Sequence, residues 1–336
     1  MESVQIQPPS FTFRALNKQW KKLDCFPIPG NSVICIDQLG HSSIVNVPLR
    51  YGATMPRLHN PKRMPIFFFV HKPDVDKKHD WNLYGTSVFI MERIPELEVG
   101  CCTEKYSDQF EVFATRSLIM TTYNKTWKCL QLPPPPYIRE PKYFRGSCPE
   151  ISSYAVLDGG AQVCVSVDGV GTYSLDTQNH TWIEVGKWTL PYRGKVEYVP
   201  ELKLWLGFSA KNRHLAAADL SGISTMNSQP QLMDLGKEFD TPDPDEWKEC
   251  KDSQLVNLGS GMFCVARFFR SRTLNGDFVG DESITSDQDL AVFTGLEVVP
   301  RVLDANGNDG KVGLQMTPHT SRCHTSNNGT AIGSVF

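Results

Sequence analysis

The chain has 336 residues, 40% of them hydrophobic and 21% charged, with a formal net charge of −3. That balance is the composition of a globular protein and gives no electrostatic footprint for nucleic acid. No apolar run reaches the roughly 18 residues that a membrane-spanning helix needs, and the start MESVQIQPPS lacks the basic and apolar regions of a secretion signal.

A cytoplasmic or nuclear location without membrane contact is therefore expected. In that setting the 10 cysteines read as reduced thiols behaving like small hydrophobes, and Cys35, Cys129, Cys164 and Cys264 all fall inside apolar strand patterns. Residues 1–10 carry no pattern and are expected to be disordered. Residues 11–336 are expected to form one domain, because repeat folds grow by adding units rather than by splitting.

In chain order, residues 11–23 are strand-like and contain Asn17-Lys18-Gln19-Trp20-Lys21-Lys22-Leu23. Nothing before them completes a sheet, so this segment is expected to pair with strands from the other end of the chain. Strand candidates follow at 32–36, 43–47, 65–71 and 87–91, with a lysine-rich loop at 72–80. Residues 110–113, 117–122 and 127–132 form the next group, entered by Asn124-Lys125-Thr126-Trp127 and left through Leu132, four prolines and Tyr137. Within that exit, Pro134, Pro135 and Tyr137 match the P-P-x-Y ligand of WW domains, which read polyproline II segments. The preferred reading is a stiff connector whose prolines keep an edge from pairing.

Residues 157–191, LDGGAQVCVSVDGVGTYSLDTQNHTWIEVGKWTLP, are the most legible unit. Gly159 and Gly160 mark a turn in which one backbone can pass close to another. Val163, Val165 and Val167 alternate with Cys164 and Ser166 in the period of a strand, and Asp168-Gly169 is a hairpin signal. A second strand runs to Asp176, which opens a polar turn before a third begins at Trp182. Beyond this unit, strands are expected at 195–199, 204–208 and 215–220, then at 254–258, 262–269 and 290–293. An exposed acidic connection is expected at 240–252 and a polar loop ahead of 290. The tail offers only 313–316 and 331–335.

Trp20, Trp127 and Trp182 share a polar turn before them and an apolar residue and a proline after them, and they are separated by 107 and 55 residues. The first interval is close to twice the second, which implies a period of about 54 residues, nearer to kelch-type propellers than to the shorter WD type. The expected fold is all-β: a kelch-like β-propeller of about six four-stranded blades, with five or seven as the alternatives, closed by pairing of N- and C-terminal strands. A four-stranded sheet has two apolar faces and needs a neighbour on each. Trp20, Trp127 and Trp182 are then repeat positions that wedge between sheets, Gly159 and Gly160 let strands crowd together, and Asp176 shapes the turn. The other reading of the tryptophans is stacking on a sugar or a base.

The motifs LPPPPY at 132–137, SYAVLDGG at 153–160, GTYSLDT at 171–177 and KVEYVPELKLWLGFS at 195–209 resemble, in this order, a family of uncharacterised proteins expanded in cereal plants that carries a domain-of-unknown-function label. That family is similar to kelch-type and F-box-associated propellers, and the resemblance covers residues 130–220 best. It implies a propeller and no particular chemistry. Plant kelch proteins often carry an F-box module that docks a ubiquitin-ligase scaffold, and the few residues before Trp20 are too short for one. The glycine pair followed by the aromatic turn occurs here once in full form, a departure from the kelch pattern that bears on blade number.

Enzymatic constellations are sparse. The chain has no G-x-S-x-G elbow, no phosphate-binding glycine loop, no H-E-x-x-H and no C-x-x-C. Of the 8 histidines, His41, His59, His71, His79, His180 and His214 sit singly in turns or loops. His319, Cys323 and His324 approach a metal-ligand spacing but lack a fourth ligand nearby. The vicinal pair Cys101-Cys102 has only Lys105 to lower a thiol pKa. Some kelch-fold proteins are copper oxidases, whose ligands converge only in three dimensions.

No catalytic residue, cofactor or metal is expected. The leading expectation is a non-catalytic scaffold that binds a protein partner, with substrate recognition in ubiquitin-dependent turnover as its setting. The alternatives are a small-molecule or sugar-processing enzyme with a site at the central channel, and a truncated family member.

Overall fold

The computed structural model describes residues 2–3, 22–71, 86–98, 106–116, 126–236, 247–278, 283–302, 312–325 and 335. Among them there is no α-helix, only strands and short 3-10 turns, and no helix is long and apolar enough to cross a membrane. The chain is all-β. It divides into two compact units, one of Pro9–Leu190 with Ser221–Gln229, the other of Met1–Pro8, Pro191–Leu220 and Pro230–Phe336. Strand β1 is Glu2–Ser3, at the start of the second of these.

The first unit is built from antiparallel meanders. Strands β2 (Leu23–Ile28), β3 (Ser32–Asp37), β4 (Ser42–Asn46) and β5 (Tyr51–Met55) pair in chain order. So do β6 (Pro65–His71), β7 (Thr86–Glu92), β8 (Ser107–Arg116) and β9 (Thr126–Leu132). A third meander consists of β10 (Ile151–Leu157), β11 (Gln162–Val167), β12 (Gly171–Asp176) and β13 (Thr181–Gly186), again each strand beside the next.

The sequence of β6 and β7 explains why these meanders stack. Strand side chains alternate between faces, yet Pro65-Ile66-Phe67-Phe68-Phe69-Val70 and Val88-Phe89-Ile90-Met91 are apolar at every position, so both faces must be covered. Ile66, Phe68, Val70, Phe89 and Met91 join Val163, Val165, Val167, Tyr173 and Leu175 in one core. Val88, Ile90 and Phe113, with Phe67 and Phe69 at its margin, join Phe26, Ile34, Ile36 and Met55 in another. The β6–β9 sheet is thus held between its two neighbours, and each large side chain buried in these seams contributes about 1.5–3 kcal/mol.

The strand candidates of residues 32–91 are divided between two sheets. Leu23, placed by its sequence in a closing segment, instead opens β2, which pairs with β3. The interval from Trp20 to Trp127 contains β5, whose sequence Tyr51-Gly52-Ala53-Thr54-Met55 has no tryptophan. Trp20 itself lies outside the described residues, as do Asn124 and residues 117–122.

In the second unit, β14 (Tyr192–Val199), β15 (Leu204–Ser209), β16 (Leu215–Ala218) and β17 (Met233–Asp234) form a further antiparallel meander. The remaining strands are β18 (Trp247–Glu249), β19 (Gln254–Gly259), β20 (Met262–Phe278), β21 (Ser283–Val302) and β22 (Val312–Thr325). Val199, Leu206, Phe208 and Leu215 share a core with Phe263, Val265, Leu296 and Val298.

Three expectations change in this unit. The polar stretch taken as a loop before 290 is strand on both sides, with Arg270 opposite Asp289 and Thr273 opposite Ser286, because ladder hydrogen bonds are made by the backbone whatever the side chains are. Trp247, expected in an exposed connection, lies in β18 with its ring 5.7 Å from that of Phe269. The tail is not weak, since β22 runs for 14 residues and pairs in parallel with β1, Glu2 opposite Arg322.

Candidate functional site

The most connected polar group among the described residues of the first unit begins as an oddity of sequence, an acid within the apolar run Phe110-Glu111-Val112-Phe113 of β8. Alternation sends Phe110 and Val112 into the seam with β10–β13 and Phe113 into the seam with β2–β5. Glu111 shares the face of Phe113, and its side chain is 0% exposed. A lone carboxylate there would carry a desolvation penalty of several kcal/mol.

The loop between β5 and β6, residues 56–64, supplies the partners. Lys62, its side chain 2% exposed, reaches Glu111 Oε1 at 2.5 Å. Its ammonium also donates to the carbonyls of Asn60 at 2.5 Å and Asp108 at 2.6 Å, so all three of its N–H bonds are used. Glu111 further accepts from the backbone N–H of His59 at 2.8 Å and of Asn60 at 3.2 Å, from His59 Nδ1 at 2.7 Å and from the Cys129 thiol at 3.2 Å. A carboxylate offers about four lone-pair sites; this one is saturated. The same loop is held a second time by Glu92, which accepts from the N–H groups of Arg63 at 2.6 Å and Met64 at 3.0 Å.

Burial alone would raise the pKa of Glu111. The charge and hydrogen bond of Lys62, followed by the bonds from His59, outweigh it and hold the carboxyl below its ordinary value. The Cys129 thiol moves the other way. Burial, then the negative charge of Glu111 and the bond the thiol donates to it, push it far above the usual thiol range.

His59, Glu111 and Cys129 are the donor types of a transition-metal site, and their ligand atoms lie within 4.8 Å of one another. The electrostatics run against that use. Metal binding needs a carboxylate with free lone pairs, whereas Lys62 and the Asn60 N–H already hold Oε1 and three donors from His59 and Cys129 hold Oε2. What the arrangement does well is tie the 56–64 loop to the β6–β9 sheet.

Of the residues singled out by repeat pattern, Trp127 of β9 packs at the margin of the core between β2–β5 and β6–β9. Trp182 of β13 packs at the margin of the core between β6–β9 and β10–β13, 5.6 Å from the Phe110 ring, and its Nε1 donates to the carbonyl of Pro133 at 2.9 Å. Each is the second residue of the last strand of its meander. Gly159 and Gly160 both have positive φ, +62° and +100°, and a Cβ built on Gly160 would lie 2.9 Å from Val70 Cγ1. Glycine at 160 therefore serves the turn and the close approach to β6 together. Asp176 accepts from the N–H groups of Gln178 at 2.7 Å and Asn179 at 3.0 Å, closing the β12–β13 turn.

Pro134 and Pro135 are buried, and Tyr137 is fully buried inside a 3-10 turn, its ring 5.5 Å from that of Tyr173. A WW ligand must present its tyrosine to the partner's groove; this ring faces the core, in the segment that links β9 to β10. His319, Cys323 and His324 do not converge. Alternation along β22 sends Cys323 and His324 to opposite faces, and Cys323 packs beside Phe269, Leu290 and Val292. Cys101-Cys102 lies outside the described residues.

The family model described as Protein of unknown function (DUF1668) matches residues 1–324. The chain belongs to that family. A search of curated proteins finds no match. Among solved structures, the chain is similar to the β-propeller domain of Myceliophteria thermophila Cps50 (Swd1), with 10% identity and a TM-score of 0.28, over 54% of this chain and 48% of that one. The chain therefore spans about half the length of that domain. It is also similar to Kuenenia stuttgartiensis hydrazine synthase, with 11% identity and a TM-score of 0.36, over 90% of this chain and 69% of that one. At such TM-scores the arrangement of the sheets rests on the strands and seams described above.

Sequence reasoning placed Trp127, Trp182, Gly160 and Asp176 through repetition and turn chemistry. It passed over Lys62 and Glu111; His59, which it placed singly in a turn or loop, lies in the 56–64 loop, half exposed and hydrogen-bonded to Glu111. One signal was available: the single acid within the apolar run Phe110-Glu111-Val112-Phe113 has to find a cation.

Proposed function

We propose that the protein is a non-catalytic scaffold that binds another protein, built as a kelch-like propeller of about six blades formed by residues 11–336 and closed by pairing of its terminal strands. The observation that carries the reading is the saturation of Glu111 and Lys62. In this cluster the oxygens of Glu111 and the three N–H bonds of Lys62 are spent on holding a loop, and burial beside Glu111 pushes the Cys129 thiol up. Meanders of consecutive antiparallel strands that bury apolar faces against their neighbours support the propeller. Repeat scaffolds of this kind present loops for recognition.

The test is affinity purification of the full chain from its native tissue, reconstitution of each co-purifying protein with purified components, and a parallel screen for turnover of small metabolites and sugars. The expected result is saturable binding to at least one protein and no turnover. A ubiquitin-ligase subunit, or a protein stabilised when the chain is removed, would place the interaction in ubiquitin-dependent turnover. Turnover of a sugar or other small molecule, with no reconstituted partner, would replace this reading with an enzyme.

A further inference from the structure

We propose that Cys25 and Cys35 are a disulfide-forming pair, a covalent modification site that staples the edge strand β2 to β3. Register places the two residues directly opposite each other in the antiparallel ladder. Opposed residues in such a ladder have Cα atoms roughly 4.5–5.5 Å apart, inside the 4.4–6.8 Å range that a disulfide spans. Both side chains lie on the face that carries Leu23, Val33 and Val45, away from the seam with β6–β9. Their sulfurs are 3.9 Å apart and already in hydrogen-bond contact. Closing the gap to the roughly 2.05 Å of an S–S bond asks for side-chain rotation and no change of register.

The two thiols differ in the way a stepwise oxidation requires. Cys35 is buried, 3% exposed, whereas Cys25 is half-buried and reachable. With Cys35 as donor, their hydrogen bond holds the Cys25 thiol below its ordinary value; the same bond, together with burial, pushes Cys35 up. Cys25 is therefore the sulfur that meets the oxidant, and Cys35 is the resolving thiol. With a peroxide as oxidant, the Cys25 thiolate attacks one peroxide oxygen, the O–O bond breaks, and a sulfenic acid and water result. Oxidation removes the Cys25 thiolate that held the Cys35 proton; the Cys35 sulfur then attacks the sulfenic sulfur, the S–O bond breaks, and the hydroxyl leaves as a second water with the Cys35 proton. The two sulfurs lose two electrons in all, and the peroxide gains them.

The experiment exposes the full-length native protein to hydrogen peroxide, blocks remaining thiols by alkylation, and maps peptides without reduction. The expected result is a cross-linked peptide joining Cys25 to Cys35, two hydrogens lighter than the sum of its parts, that separates on adding dithiothreitol. In Cys35→Ser the reaction stops at a sulfenic acid on Cys25, which dimedone captures. Recovery of both residues as separately alkylated peptides from peroxide-treated wild-type protein would overturn the proposal, as would cross-links that join either of them only to other cysteines. The wild-type map decides the matter even if a variant fails to fold.

Discussion

The two seams that flank the β6–β9 sheet solve one problem with different materials. Between β6–β9 and β10–β13 the contact is aliphatic and aromatic, with Phe68, Phe89, Phe110, Val163 and Val165 interleaved and Trp182 at the margin. Between β2–β5 and β6–β9 the contact is also apolar at its centre, but its edge carries the buried pair of Lys62 and Glu111. An apolar seam tolerates small shifts, since the hydrophobic effect has no direction. A buried ion pair does not, because its desolvation is offset only while its geometry holds. The first seam supplies stability, and the second fixes where the 56–64 loop sits.

The largest expected effect tests that division at its polar end. Glu111→Gln leaves the Lys62 ammonium buried without its counter-ion and should cost about 3–5 kcal/mol in denaturant unfolding. Adding Lys62→Met should recover part of that loss, because the orphaned charge is gone. A loss that does not depend on the residue at 62 would break the account of the pair. At the apolar end, Trp182→Ala should cost about 3 kcal/mol through the cavity it leaves and the lost bond to Pro133. Gly160→Ala should cost about 2 kcal/mol, since its Cβ overlaps Val70 and its φ is positive.

The smallest effect is one of pH. Because the folded pKa of Glu111 lies below its unfolded value, the pair's contribution is complete above the unfolded value of about 4.3. It is lost as pH falls through the lower folded value. Wild-type stability should therefore fall more steeply below about pH 5 than that of Glu111→Gln. Parallel acid limbs would count against the pair.

The apolar seam was the legible one. Repetition exposed Trp127 and Trp182, and the Asp-Gly-Gly turn exposed Gly160. Both signals are local in the chain. The ion pair joins residues 49 apart, and neither Lys62 in its proline-flanked loop nor Glu111 in its strand names the other. Strand length was misjudged where polar residues continue the β20–β21 ladder, since period and polarity report burial while pairing depends on backbone. Trp247 was misplaced for a related reason, as the acidic, proline-broken stretch before it hid a short strand.

The first unit does not end where its last meander does. Ser221–Gln229 belongs to it, and there Ser224 Oγ donates to Gln162 at 2.9 Å and Gln229 Nε2 to the Thr189 carbonyl at 2.7 Å. The strands β14, β15 and β16 are made before this piece arrives. During synthesis, then, a nascent chain halted at Leu190 lacks a clasp that lies three strands downstream, and the order in which the ribosome releases these segments differs from the order in which the finished unit needs them.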